Sequence, residues 1–208
     1  MFYKKIKLEY DYKSLEPFID ELTMKIHYEK HHGGYENKLN DAVEEYDPEL
    51  TKKYKNINEL MLNYQKISNI SLKIAIREYG GGLINHNFFW RNLKKGTKPS
   101  EKSALYNDIT EKWDSFQEFE KSFKKASMDL FGSGWVWLAI NKNKELKIVK
   151  TFNQDNPWFL NFKPVIGIDL WEHSYYLKHK NDKKEYIENF FKIINWEFAE
   201  EEYAKIMK

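Results

Sequence analysis

Five of the six histidines stand in three short aromatic-rich segments, IHYEKHHGGY (26–35), NHNFFW (85–90) and DLWEH (169–173). That clustering is the strongest chemical signal in the chain. A neutral imidazole binds Mn, Fe, Zn or Cu, while a carboxylate adds a hard anionic oxygen that favours Mn and Fe and stabilises their trivalent states. Three histidines with one aspartate would leave a position open for water or substrate. The 208 residues include no cysteine, which excludes disulfides, thiolate zinc sites, iron–sulfur clusters and cysteine nucleophiles. Any metal must be held by nitrogen and oxygen, and a redox-capable Mn or Fe centre is the natural reading. A lone histidine among aromatics is more often structural than a ligand. His179, in KHK, therefore reads as surface, and His32, which cannot share the helical face of His31, as packing near the site.

These segments need elements to position them. From Ser14 to about Asn40 the chain reads as helix, with Ser14 as cap, Pro17 in the first turn, and Phe18, Leu22 and Ile26 at helical spacing. His27, His31 and Tyr35 fall on one face, and Gly33-Gly34 predicts a kink or bulge there. A second helical stretch carries Ile57, Leu60, Met61, Tyr64 and Ile67 and runs towards Tyr79, where Gly80-Gly81-Gly82 should interrupt it. A short helix from Leu83 to Leu93 then bears His86. KKGTKPS (94–100) has the composition of a linker, which divides the chain into a helical hairpin lobe, 1–95, and an α/β lobe, 96–208. The second lobe opens with an amphipathic helix through Ile109, Trp113, Phe116, Phe119 and Phe123. Strands follow at 135–140, 146–152 and 165–170, the first two joined by a turn at Asn141–Lys144, before a last helical region from about Glu185 to Met207. The expected class is α+β, a helical hairpin packed on a three-stranded antiparallel sheet flanked by helices.

Composition narrows the function further. The 34 basic and 32 acidic residues are interspersed and nearly cancel, which gives no support to nucleic-acid binding. The first residues, MFYKKIKLEYDYKSLEP, hold no apolar stretch of signal-peptide length, and no later segment has the length to span a bilayer. The expectation is a soluble, cytoplasmic protein without a membrane partner.

TMKIHYEKHHGGY, INHNFFW, FGSGWVWL and DLWEHSYYL, in this order and spacing, resemble the diagnostic segments of the manganese/iron superoxide dismutase family along nearly the whole chain. The resemblance, rather than histidine spacing, implies the reaction: superoxide is converted to dioxygen and hydrogen peroxide through one redox-cycling Mn ion per subunit, or Fe in its place. It implies His27, His86, Asp169 and His173 as metal ligands, Tyr35 as the tyrosine at the mouth of the substrate channel, and His31 as the gateway histidine beside it. Glu172 and Tyr176 resemble residues that reach across a subunit interface, to the partner's ligating histidine and gateway histidine respectively. A homodimer, or a tetramer built from it, is thus implied. Trp135, Trp137 and Trp171 are expected to wall the site, with plain core packing an equal reading for Trp137.

The family's two metal types differ in which chain position supplies a glutamine to the solvent on the metal. Gln154, in TFNQDNP, stands at the manganese-type position, and the iron-type position, four residues before His86, is Gly82. The resemblance therefore points to manganese, with an enzyme that accepts either metal as the alternative. The Gln154–Tyr35 network would deliver protons. Three departures stand out. IKLEYDY replaces the family's proline-rich opening, Asn87 follows His86 where serine or threonine is common, and Asp182 stands where many members have arginine near the channel mouth. Attraction of superoxide is then expected to fall to Lys30 or Lys183. Two rivals fit less well. A di-iron bundle needs a Glu-x-x-His motif on each of two helices, which is lacking, and a non-enzymatic scaffold would be expected to have lost some of these residues.

Overall fold

The computed structural model describes residues 2–208. After an extended arm and a 3-10 turn at Tyr12–Leu15, the first long helix is built from α1 (Glu21–Ile26), a π turn (His27–His32) and α2 (Gly33–Tyr46). It starts later than Ser14 because Asp20 is the cap: its side chain accepts a hydrogen bond from Thr23 N at 2.7 Å. The expected distortion is present as the π turn, just ahead of Gly33-Gly34. α3 (Leu50–Lys53) and α4 (Ile57–Asn63) lead to the returning helix, α5 (Ile70–Ala75), a second π turn (Ile76–Gly80) and α6 (Gly81–Arg91).

Here the glycine triplet does not break the helix. The break lies at residues 67–69, where Asn69 caps α5 by accepting from Leu72 N at 3.0 Å. Glycine is a poor helix former, but at two of the three positions only glycine leaves room for a neighbour. A Cβ on Gly81 would lie 2.3 Å from the Gln154 carbonyl oxygen, and one on Gly82 2.5 Å from the Tyr35 ring. α6 is the central helix of the molecule, buried at every position except Asn87 and its final Arg91. Asn87 Oδ1 accepts from Ile6 N at 2.8 Å and so holds the N-terminal arm against it.

In the second lobe the single helix expected through Ile109 and Phe123 is two, α7 (Ala104–Trp113) and α8 (Phe116–Met128). Asp114 ends the first with a left-handed φ of 65°, and Ser115 caps the second by accepting from Glu118 N. The sheet has β1 (Gly134–Ile140) in the middle, antiparallel to β2 (Leu146–Phe152) on one side and β3 (Lys163–Asp169) on the other. β1 is buried throughout, between helices and the α6 layer. After α9 (Tyr176–His179) the last helical region is also split, into α10 (Lys183–Phe190), capped by Asp182, and α11 (Trp196–Met207), capped by Asn195. The lobes share one core: Phe88, Phe89 and Trp90 of α6 pack in the same cluster as Trp135 and Trp137 of β1. A second cluster fills the hairpin. Among the described residues no helix is long and apolar enough to cross a membrane.

Candidate metal centre

Two helices and one strand end meet below this core. The first π turn carries His27, α6 carries His86, β3 ends on Asp169, and the turn after it carries His173. One donor atom from each of the four lies within 4.8 Å of all the others. Asp169 Oδ2 is 3.2 Å from His27 Nε2, 3.4 Å from His86 Nε2 and 3.2 Å from His173 Nε2, and the His27 and His86 Nε2 atoms are 2.8 Å apart. Three side chains are buried, and His173 is the most exposed, at 9%.

The surroundings decide which atoms point inward. His86 Nδ1 lies 2.7 Å from the Gly82 carbonyl, which can only accept, so Nδ1 carries the proton and Nε2 presents a lone pair. Asp169 Oδ1 accepts from Trp171 N at 2.9 Å, and its backbone carbonyl accepts from Tyr186 Oη and Ser174 Oγ, each at 2.9 Å, which leaves Oδ2 to the histidines. Burial pushes His27 well below the usual imidazole range and His86 below it. Burial opposes ionisation of Asp169, but the charge of His173 and hydrogen bonds from His173, His27 and His86 outweigh it and hold the carboxyl well below its usual range. Three imidazole nitrogens and one carboxylate oxygen converge, with the separations just given between 2.8 and 3.4 Å and all four atoms within 4.8 Å of one another, as ligand atoms sharing one first-row ion at bonds of about 2.1 Å would. The residues fit a single Mn or Fe ion.

His32 is a different case. Its Nε2 donates to the Leu83 carbonyl at 3.3 Å and its Nδ1 accepts from Trp90 Nε1 at 2.9 Å, so both nitrogens are engaged away from the cluster while the ring stacks on His86. His31 stacks on His173 with ring centroids 4.2 Å apart, and burial beside the His173 and His86 rings pushes it down to about 4. Tyr35 has its ring 5.4 Å from that of His86, and its phenol, raised by burial and by Asp169, accepts from Gln154 Nε2 at 3.0 Å. Gln154 Oε1 in turn accepts from Trp135 Nε1 at 3.2 Å and Asn85 Nδ2 at 3.1 Å.

Trp135 meets His86 edge-on and Trp171 stacks on His173. Trp137 does not reach the donors. It stacks behind Trp135, donates to Thr151 Oγ1 at 2.9 Å and packs on Gly167, which is core packing. Glu172 and Tyr176 lie at the surface of the protomer rather than against its own donor cluster. His179, expected at the surface, is buried: Nε2 donates to the Phe18 carbonyl at 3.3 Å and Nδ1 lies 3.2 Å from Glu185 Oε2, because α9 folds back onto the N-terminal segment. Sequence reading missed Asn85, although its place immediately before His86 was a signal. It also missed Arg77, whose guanidinium forms a fork with Asp155 across the lobes.

Comparison with protein families agrees with this arrangement. Residues 2–94 match the family model described as iron/manganese superoxide dismutases, alpha-hairpin domain, and residues 101–202 match its C-terminal domain.

Proposed function

Since this chain belongs to the iron/manganese superoxide dismutase family, and is a superoxide dismutase, we propose that His27, His86, Asp169 and His173 hold one manganese ion per subunit, with iron as the alternative. The observation that carries this reading is the convergence of three imidazole nitrogens and one carboxylate oxygen in a family whose members bind Mn or Fe. When bound, the metal supplies the redox step, taking an electron from one superoxide and giving it to a second, so that two superoxides and two protons become dioxygen and hydrogen peroxide.

The protein groups handle protons, access and shape. Tyr35 Oη and the Gln154 amide form a hydrogen-bonded pair beside the donors, suited to passing protons inward to the developing peroxide. Burial keeps the Tyr35 phenol protonated at neutral pH, so that it has a proton to give. Trp135 and Trp171 cover His86 and His173 and limit the approach of water. His31, neutral because it is half-buried among other imidazoles, stands next to His173 as a gate.

Manganese is favoured over iron because Gln154 already occupies the space beside Tyr35. A glutamine at Gly82 would collide with the Tyr35 ring, since even a Cβ there would come within 2.5 Å. A homodimer is favoured by the exposed Phe131 (93%), which lines one cavity with Glu172 and His173, and by the exposed Tyr176 (48%) and Leu177 (40%) that follow in the chain. We read the lobe boundary at 95/96, in the polar segment after α6. Reconstitution of metal-free protein with Mn or Fe separately, followed by superoxide turnover and metal analysis, tests the reading. Activity with iron alone would overturn the manganese assignment, and no activity with either metal would overturn the ligand set.

A further inference from the structure

Gln154 belongs by sequence to the sheet lobe, in the turn that leaves β2, yet its side chain works against the helical lobe, on Tyr35 and Asn85. On its own side the turn is tied by Asn153 N to the Ser133 carbonyl at 2.9 Å, by Trp171 Nε1 to the Asn153 carbonyl at 3.0 Å and by Trp135 Nε1 to Gln154 Oε1 at 3.2 Å. Asn153 has a left-handed φ of 50°, Phe152 is largely exposed, and a cavity of about 530 Å³ lined by Tyr35, Arg77, Tyr79, Gln154, Asp155 and Trp171 lies against it. The anchors that fix its register against α6 come from across the lobes. The Gln154 carbonyl sits on the bare backbone of Gly81 and accepts from Asn85 Nδ2 at 3.1 Å. One residue further on, the Asp155 carboxylate accepts from Arg77 Nε and Nη2, each at 2.6 Å. Arg77 lies in the second π turn, four residues before Gly81.

From this geometry we propose that the Arg77–Asp155 fork is a positioning pair: it locks the turn carrying Gln154 in register with α6, sets the Gln154–Tyr35 hydrogen bond, and through it contributes to the preference between manganese and iron. The proposal rests on the role given above to Gln154. A planar guanidinium meeting a carboxylate along two parallel bonds fixes orientation as well as distance, which a lysine's single point charge does not. The Arg77 and Asp155 side chains are 56% and 29% exposed, so solvent screens the pair and its contribution to global stability is small. Its effect is therefore local. Loss of the fork frees the turn without unfolding the protein, whereas a merely structural pair would change melting and nothing at the site.

The test uses Arg77→Met, Arg77→Lys, Asp155→Asn and the exchanged pair Arg77→Asp/Asp155→Arg, with Gln154→Ala for reference. In metal-free protein, backbone amide exchange at residues 153–155 should speed up about fivefold in Arg77→Met and Asp155→Asn, with Tm held within about 2 °C. Arg77→Lys should recover part of the protection and the exchanged pair most of it. In reconstituted protein, the ratio of manganese-supported to iron-supported turnover should shift in Arg77→Met towards that of Gln154→Ala and return in the exchanged pair. Unchanged amide exchange in Arg77→Met overturns the proposal, as does a metal ratio that stays at the parent value while the turn loosens. If Asp155→Asn does not fold, the exposed Arg77 substitutions decide. Should Gln154→Ala leave turnover and metal ratio unaltered, the role of Gln154 fails, and the exchange rates still show whether the fork holds the turn.

Discussion

Adding one methyl group at Gly82 should disable the site without touching a ligand. A Cβ built there lies 2.5, 2.6 and 2.7 Å from Cγ, Cδ1 and Cδ2 of Tyr35, distances that carbon atoms do not sustain. To reach ordinary contact near 3.5 Å the ring or α6 must move by about 1 Å. The Tyr35 Oη···Gln154 Nε2 bond, now 3.0 Å, is the contact that such a movement breaks. Overpacking a tight core costs about 1–3 kcal/mol, which in a chain of this size lowers Tm by about 2–12 °C. Gly34→Ala is the control. It lies in α2, directly before Tyr35, and a Cβ there meets nothing within 4 Å, so the change should be neutral or stabilise the helix by up to about 1 kcal/mol. Calorimetry of both variants in metal-free form gives the packing term, and superoxide turnover per bound metal gives the functional one. If Gly82→Ala melts with Gly34→Ala and keeps parent turnover, α6 does not press on Tyr35 and the argument for manganese from lack of room collapses with it.

Removing the metal should lower Tm on the order of 10 °C, since a ligand held at a thousand times its Kd stabilises by about 4 kcal/mol; Asp169→Asn, which keeps the shape of the side chain but loses the anionic oxygen, should purify with little metal and melt like the metal-free protein. His179→Ala leaves the Phe18 carbonyl without its donor and should cost about 1–3 kcal/mol in denaturant unfolding while turnover per metal stays at the parent value. Lys30 is exposed, and Lys183 borders the cavity that also touches Glu172 and His173; reversing both charges should flatten the rise of turnover at low ionic strength measured by pulse radiolysis, and an unaltered salt slope would remove both lysines from substrate attraction.

The strands were readable because β1 is an unbroken apolar run bounded by Gly134 and Asn141, and the turn after it is polar. Helix boundaries were less so, for reasons that can be assigned. Ser115 caps α8 at a Ser-x-x-Glu sequence and splits it from α7, but the aromatic stripe through Trp113, Phe116 and Phe119 continues across it and hides the break. Gly80–Gly82 look like a breaker because propensity is local, whereas their use is tertiary: the space they leave is filled by Met61, the Gln154 carbonyl and the Tyr35 ring. His179 looked like surface because its flanking lysines are solvated, and only the fold reveals that Phe18, 161 residues away in sequence, is its partner.

The donor cluster was legible for a different reason. Each histidine segment carries its own density of aromatic residues, so the site leaves a local mark in three places. The Arg77–Asp155 fork leaves none, since an arginine and an aspartate 78 residues apart are unremarkable until the lobes close. That asymmetry has a physical consequence. His27 and His86 come from the helical lobe, Asp169 and His173 from the sheet lobe, and the proton-bearing pair likewise joins Tyr35 of one to Gln154 of the other. The site therefore straddles one interface even though His27–His86 and Asp169–His173 pair within their own lobes, and small changes in how the lobes meet alter hydrogen-bond geometry at the site while the ligands stay the same. Substitutions along that seam, at Gly81, Gly82, Arg77, Asn85 or Asp155, should accordingly act on metal preference and proton delivery more than on metal retention, because His86 and Asp169 are held by contacts of their own, to the Gly82 carbonyl, to Trp171 N and to Tyr186 Oη.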